Sequence, residues 1–92
     1  MIRSFRDRDT EELFGRQASR RWASIARVAL RKLRLVHRAR TLQDLMAPPN
    51  NRLEKLRGDR AGQYSIRVND QYRICFRWKG SDAFDVEMTD YH

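Results

Sequence analysis

The stretch that decides the fold is YSIRVNDQYRICFRW, which spans residues 64–78. Apolar and polar residues alternate over 64–68, again over 72–78, and once more over 84–88. Strict alternation is typical of a β-strand with one buried and one polar face. The sequence therefore predicts three consecutive half-buried strands in an antiparallel meander.

Matching the apolar faces also predicts the register of these strands, because a slip by one residue would turn every side chain to the wrong face. The match pairs Ile66 with Ile74, and Ile74 with Val86. On the polar face the same register places Arg67 opposite Arg73, where two guanidinium groups repel each other. Either a bound phosphate lies between them, or both side chains extend into water, where the repulsion is weak.

The N-terminal half has helical periodicity after a short strand predicted over residues 1–5. Asp9 is the expected cap of a first helix that ends near Gly15. Ser19 is the expected cap of a longer helix, since apolar residues over 22–36 recur at helical spacing. The sequence thus places two main helices before the strands.

A break separates the helices from the meander. Thr41 is expected to cap a last helical turn, and Pro48-Pro49-Asn50 ends it. Residues 52–57 predict one more strand, in which a bulge interrupts the alternation. The predicted class is α+β, with an N-terminal strand and two main helices packed on an antiparallel sheet, in one domain over residues 1–92.

The composition indicates a polyanionic partner. Lysine and arginine total 20 against 12 aspartate and glutamate residues, which gives a formal net charge of +8. Only Lys32, Lys55 and Lys79 are lysines, and arginine suits phosphate because its guanidinium binds in a bidentate fork. The lone Cys75 predicts a reducing, cytoplasmic setting, and the apolar runs are too short for a membrane span.

Three polar side chains close the sequence: Asp90, Tyr91 and His92. RNA cleavage by a 2′-hydroxyl needs a base, an acid for the leaving oxygen, and cations around the phosphate. Glu54 or Asp90 is the candidate base, His92 the candidate acid, and Tyr91 a stacking platform for a nucleobase. The alternative for His92 is a frayed terminal residue without a catalytic role.

The cations for such a reaction come from the loop and strands around it. Arg57 and Arg73 are the candidate phosphate clamp, and RNA is expected to dock on the polar sheet face along Lys55, Arg60, Arg67 and Arg77. Cys75 lies between two arginines on that face, a setting that can lower a thiol pKa. A second set of arginines follows helical spacing and either contacts RNA or faces solvent: Arg27, Arg31, Arg34 and Arg38.

Four motifs resemble the HigB toxins of the RelE/ParE superfamily: MIRSFR at 1–6, LRGDR at 56–60, YRICF at 72–76 and DYH at 90–92. The resemblance covers the whole chain. It implies a RelE-like fold and a ribosome-dependent endoribonuclease that cleaves mRNA in the A site, inhibits translation, and uses no metal and no cofactor. It also implies neutralisation by a HigA-like helix-turn-helix antitoxin.

The resemblance carries over to particular residues. Arg57 matches the basic residue of the family's L-K-G-D-R motif, and Arg73 matches the arginine of its strand motif. The sequence departs from the family at Glu54-Lys55, where His-Pro is common, so we expect Glu54 to serve as the base, as a glutamate does in the related YoeB-type toxins. Arg57 replaces a lysine and can stabilise charge but cannot donate a proton.

Two other functions fit the same sequence. One is a gyrase inhibitor of the ParE type, which would need no acid–base group at the end of the chain. The other is a simple nucleic-acid-binding module, which would bind naked nucleic acid with a steep salt dependence.

Overall fold

A computed structural model describes residues 1–90 of the chain. The main elements are α1 (Arg8–Arg16), α2 (Ala26–Arg38), β1 (Glu54–Lys55), β2 (Gln63–Arg67), β3 (Tyr72–Lys79) and β4 (Asp82–Asp90). The four strands form one antiparallel sheet in the order β1-β2-β3-β4. The predicted α+β architecture is therefore confirmed. Within residues 1–90, no helix is long and apolar enough to cross a bilayer.

Both helices pack on one face of the sheet, and the hydrophobic core lies between the helices and that face. Phe76 is fully buried at its centre, against the rings of Tyr64 and Trp78. Burying such side chains is the main favourable term in folding, and it fixes which side of each strand turns inward. The other fully buried large apolar residues are Leu13, Leu33, Val36, Leu45, Ile66, Ile74 and Val86.

The start of α1 differs from the prediction by two residues. The cap is Asp7 rather than Asp9, because Asp7 has extended backbone angles and its Oδ2 accepts a 2.9 Å hydrogen bond from the Thr10 amide. Asp9 lies within the first turn and pairs with Arg21 at 3.1 Å. The helix continues through Gly15 and ends when Gln17 adopts a left-handed conformation.

The second helix is shorter than predicted. The Ser19 hydroxyl does accept a hydrogen bond, from the Trp22 amide at 3.2 Å, but it caps an isolated turn over residues 21–25. Helix α2 starts only at Ala26, after Ile25 leaves helical geometry. The predicted cap at Thr41 is confirmed, since Thr41 and Asp44 form a reciprocal capping box.

The N-terminal segment pairs with the sheet but is too irregular to form a full strand. Ile2 and Phe5 make isolated parallel bridges to Ala83 and Val86 of β4. The Ser4 hydroxyl accepts a hydrogen bond from the Asp85 amide at 2.9 Å. The segment therefore covers the edge of β4 that would otherwise be open.

The predicted register is correct between β2 and β3 and wrong between β3 and β4. Ile66 pairs with Ile74 as expected, whereas Ile74 pairs with Met88 instead of Val86. A β-bulge lies opposite Phe76, where Asp85 has a φ of 53°. The extra residue shifts the pairing, which the alternation of apolar residues cannot reveal.

The sheet face without helices is not open to solvent along its centre. Ser65 and Cys75 are fully buried there. The segment after β1 folds over this face, since Leu56 is buried and Arg60 reaches Glu87 on the distant strand β4. The strands are therefore covered on both faces, which the half-buried pattern did not predict.

Candidate functional site

A row of polar side chains crosses the sheet on the face away from the helices. The register aligns Glu54 of β1 with Ser65, Ser65 with Cys75, and Cys75 with Glu87 of β4. Residues paired in this way point to the same side of a sheet. We call this surface the polar face. It is defined by these four residues together with Arg73, which lies two positions from Cys75 on β3.

Arg73 is the fixed centre of the polar face, and only 7% of it is exposed. Its Nε donates to the Ser65 hydroxyl at 2.8 Å, and its Nη2 donates to the Arg52 carbonyl at 2.6 Å. Its Nη1 lies 3.7 Å from Glu54 Oε1. Two hydrogen bonds therefore fix the guanidinium of Arg73 in one position, and its third nitrogen lies beside the Glu54 carboxylate.

The predicted juxtaposition of Arg67 and Arg73 exists, and both guanidiniums have partners within the chain. Arg67 Nη2 pairs with Asp70 Oδ1. Arg73 pairs with Glu54. The chain's own carboxylates therefore offset the repulsion that the sequence alone left to a phosphate or to solvent.

Arg60 is tied to the polar face rather than extended into solvent. Its Nη1 donates to Glu87 Oε1 at 2.6 Å and to Gln63 Oε1 at 3.1 Å. Arg6 approaches the same Glu87 oxygen at 3.8 Å. Glu87 therefore joins the loop, the N-terminal segment and β4 at one point.

The other predicted cations lie around this centre. Arg57 is exposed and directly precedes the turn Gly58–Arg60. Arg77 is also exposed, with its Nε 3.5 Å from Asp85 Oδ2. Lys55 pairs with Tyr64, whose ring stacks on Phe76, so Lys55 points to the helix side of the sheet, opposite to Glu54.

The end of β4 lies beside Arg73. Thr89 pairs with Arg73, and Asp90 pairs with Tyr72 one position further. The Asp90 carboxylate accepts a hydrogen bond from Gln71 Nε2 at 3.2 Å. The candidate residues Tyr91 and His92 lie outside the described residues.

The Cys75 thiol is not activated by its arginine neighbours. Burial raises its pKa above the ordinary value, and this outweighs the lowering by the Thr89 hydroxyl and by Arg60. The expectation of a lowered pKa was wrong, because it counted the charges but not the cover over the strand. A buried, protonated thiol is a poor nucleophile.

Sequence reasoning missed the residues that hold Arg73 in place. Ser65 is fully buried and supplies a hydroxyl acceptor, and Arg52 supplies a backbone carbonyl. The alternation does place Ser65 on the polar side, directly across from Cys75. A backbone acceptor from a separate segment leaves no signal in the sequence.

This arrangement suits acid–base chemistry on a phosphate. Glu54 is half-exposed, so it can accept a proton from a ligand, and the buried Arg73 beside it supplies positive charge without having to move. Across residues 1–90, no group of three or more His, Cys, Asp or Glu side chains is placed to hold a metal ion.

Comparisons with known proteins show which family the sequence resembles. Residues 3–92 match the family described as the RelE-like toxin of type II toxin–antitoxin system HigB. The chain is 39% identical to Toxin HigB-1 of Vibrio cholerae over an alignment of 93 positions, which covers 99% of this chain and 98% of that protein. It is 42% identical to Endoribonuclease HigB of Proteus vulgaris over 41 residues, 45% of each chain. An uncharacterized protein of Haemophilus influenzae is 33% identical over 69 residues, 75% of this chain and 68% of that protein.

Proposed function

This chain belongs to the HigB-like family of RelE-like toxins of type II toxin–antitoxin systems, and on that premise we propose that it is an endoribonuclease that cleaves mRNA in the ribosomal A site. The name of the Proteus vulgaris relative, an endoribonuclease, supports the activity. The net charge of +8 supports RNA as the substrate. Cleavage of translated mRNA would stop protein synthesis, which is an effect expected of a toxin.

One observation carries the proposal: Glu54 Oε1 lies 3.7 Å from a guanidinium nitrogen of the buried Arg73. Ser65 and the Arg52 carbonyl hold that guanidinium in position before any ligand arrives. Preorganised charge of this kind stabilises a transition state without the cost of rearranging the site. A carboxylate beside it is suitably placed to take a proton.

The proposed reaction needs no group beyond the RNA and the side chains. Glu54 takes the proton of the 2′-hydroxyl, and the 2′-oxygen forms a bond to the adjacent phosphorus. The bond from phosphorus to the 5′-oxygen breaks, and an acid gives that oxygen a proton. The products are a 2′,3′-cyclic phosphate and a 5′-hydroxyl, and the proton taken by Glu54 balances the one supplied by the acid.

The remaining roles follow the family motifs. We assign the acid and the orienting groups to Asp90, Tyr91 and His92, with Tyr91 stacking on a base. Arg57, which is exposed, completes the charge around the phosphate with Arg73. The RNA path on the polar face is proposed to follow Arg60, Arg67 and Arg77. Lys55, which the sequence predicts to lie on the same path, points to the helix side of the sheet and is left out.

Membership of a toxin–antitoxin system implies an antitoxin partner. We propose that this partner is a HigA-like protein with a helix-turn-helix. Because the proposed substrate is mRNA on the ribosome, the site of action is the cytoplasm.

The test is cleavage of a defined mRNA by the purified chain in a reconstituted translation system. We expect cleavage only when the mRNA is being translated. Arg57→Ala should reduce the rate by on the order of 100-fold. Arg16→Ala, which removes an exposed arginine from α1, is the control and should cleave as the wild type does.

A chain lacking Tyr91 and His92 tests the proposed acid, and we expect it to lose most of its cleavage activity. Wild-type cleavage rates in both Arg57→Ala and the shortened chain would remove the proposed site. Inhibition of DNA supercoiling without any mRNA cleavage would instead favour a ParE-like toxin.

A further inference from the structure

Lys32 on α2 is a buried cation that the proposed reaction does not use. Only 4% of it is exposed, and its Nζ donates to Asn51 Oδ1, which is a neutral amide oxygen. Asn51 is itself fully buried and donates to the carbonyls of Leu45 and Ala47, each at 3.3 Å. Among residues 1–90, no carboxylate pairs with the Lys32 ammonium.

The surroundings of Lys32 disfavour its charged form. Burial lowers the pKa of Lys32, and the neighbouring positive charges of Arg31 and Arg67 lower it further. A buried charge without an opposite charge is rare, because desolvation is not compensated. A ligand that supplies a negative charge would remove this deficit.

Lys32 is one of the residues that line a surface groove with a volume of about 690 Å³. Helix α2 forms one wall and residues 48–50 form the other. The lining combines two exposed arginines with apolar surface from a leucine and two prolines: Arg31, Arg38, Leu35, Pro48 and Pro49. This groove is separate from the polar face, since none of its lining residues belongs to that face.

We propose that this groove binds an acidic segment of the antitoxin, with a carboxylate on Lys32 and apolar side chains against Leu35 and the two prolines. Charge complementarity supports an acidic occupant, because the lining includes three cations and no acid. The apolar surface favours a peptide over RNA, because the lining has no aromatic ring on which a base could stack. Apolar contacts surrounded by charged pairs are typical of protein interfaces.

The proposal rests on the proposed function only in that a type II toxin has a protein antitoxin. It also implies that the antitoxin segment bound in the groove does not itself cover the polar face. Neutralisation would then depend on the bulk of the bound antitoxin or on additional contacts, rather than on this groove alone.

The experiment measures the affinity of the full chain for the purified HigA-like antitoxin of its toxin–antitoxin system, by isothermal titration calorimetry. The double variant Arg31→Glu with Arg38→Glu reverses two exposed charges of the groove. We expect its affinity for the antitoxin to fall by on the order of 100-fold. The matched control is Arg20→Glu with Arg27→Glu, which makes the same change of charge outside this groove and should stay within about threefold of the wild type.

Lys32→Met tests the buried ammonium, and we expect a loss of at least about tenfold in affinity. Circular dichroism melting establishes that each variant is folded. If Lys32→Met does not fold, the double variant still decides, because its two changes are on exposed residues.

Equal losses of antitoxin affinity in the groove and control variants would overturn the proposal, since they would indicate a non-specific attraction between opposite net charges. Unchanged antitoxin affinity in the groove variants would also overturn it, and a concurrent loss of ribosome binding would identify the groove as an RNA contact. Wild-type mRNA cleavage, measured in parallel, reports on the proposed function separately. A wild-type chain that fails to cleave mRNA, yet shows the expected affinity pattern, would contradict the nuclease and leave the groove proposal supported.

Discussion

The two faces of the sheet are both buried near their centres, but different forces hold them. On the helix side, Ile74 and Phe76 are fully buried among other apolar side chains. On the polar face, Ser65 and Arg73 are buried among hydrogen-bond partners, and the segments on either side of β1 cover them. Strand β3 supplies residues to both faces, so one strand links the core to the candidate active site.

The difference teaches why the two faces serve different purposes. Apolar packing has no preferred direction and stabilises in proportion to the area buried. A hydrogen-bonded guanidinium has a defined direction, and losing one partner leaves the others unsatisfied. The helix side therefore stabilises the domain, and the polar face positions charge. Substitutions on each face should have different consequences.

The largest expected effect is on the helix side. Phe76→Ala should lower the free energy of unfolding by about 3–5 kcal/mol, because it leaves a cavity in the core. Urea denaturation measures the change. Phe84→Ala is the comparison, since Phe84 is only partly buried and pairs with Arg77 on the polar face. This variant should lower the free energy of unfolding much less than Phe76→Ala does. Equal losses would contradict the assignment of the core to one face.

The next effect is on the polar face. Arg73→Ala should lower the free energy of unfolding by about 1–3 kcal/mol, because the Ser65 hydroxyl and the Arg52 carbonyl lose their donor. Arg77→Ala, on the same strand but exposed, should change stability by no more than about 0.5 kcal/mol. If the two variants unfold at the same urea concentration, Arg73 is not the structural centre of this face.

A smaller effect is expected at the contact between Glu87 and Arg60. Glu87→Gln weakens a 2.6 Å charged hydrogen bond that is partly shielded from solvent. The change should lower the free energy of unfolding by about 1 kcal/mol. The loss should shrink at high salt, which screens the charge of partly exposed pairs. Glu11→Gln, an exposed change on α1, serves as the control in the same denaturation series.

The smallest effect concerns the buried thiol and appears only at alkaline pH. Because the pKa of Cys75 is raised in the folded chain, the thiol keeps its proton there while it ionises in the unfolded chain. The unfolded state then binds fewer protons, so stability falls as the pH rises through the ordinary thiol pKa. Cys75→Ala should lack this part of the decline. Parallel stability curves for the two proteins between pH 7 and about pH 10 would contradict it.

The sequence predicts most of the fold because burial repeats with the period of each element. Pairing of Ile66 with Ile74 follows from alternation, and the capping box at Thr41 follows from local chemistry. The bulge at Asp85 could not be predicted, because it depends on one residue that adopts a left-handed conformation. The cap at Asp7 was missed because two aspartates lie within reach of the same helix start.

The candidate site is only partly predictable for a similar reason. Alternation places Arg73 and Cys75 on one face, and the family motifs single out Arg73. The stretches on either side of β1 that cover them are irregular, so their contacts, such as that of the Arg52 carbonyl before β1, follow no periodic pattern. The thiol pKa was predicted in the wrong direction for this reason, since burial by a loop decides it.

The central claim is that the polar face holds a base beside a fixed guanidinium, and the rate of mRNA cleavage by Glu54→Gln tests it most directly. Glu54 is half-exposed, so the change should leave the melting temperature close to that of the wild type. The cleavage rate on translated mRNA should fall by about 10²- to 10⁴-fold, whereas the exposed control Asp59→Asn should keep the wild-type rate. Cleavage by Glu54→Gln at the wild-type rate would contradict the account.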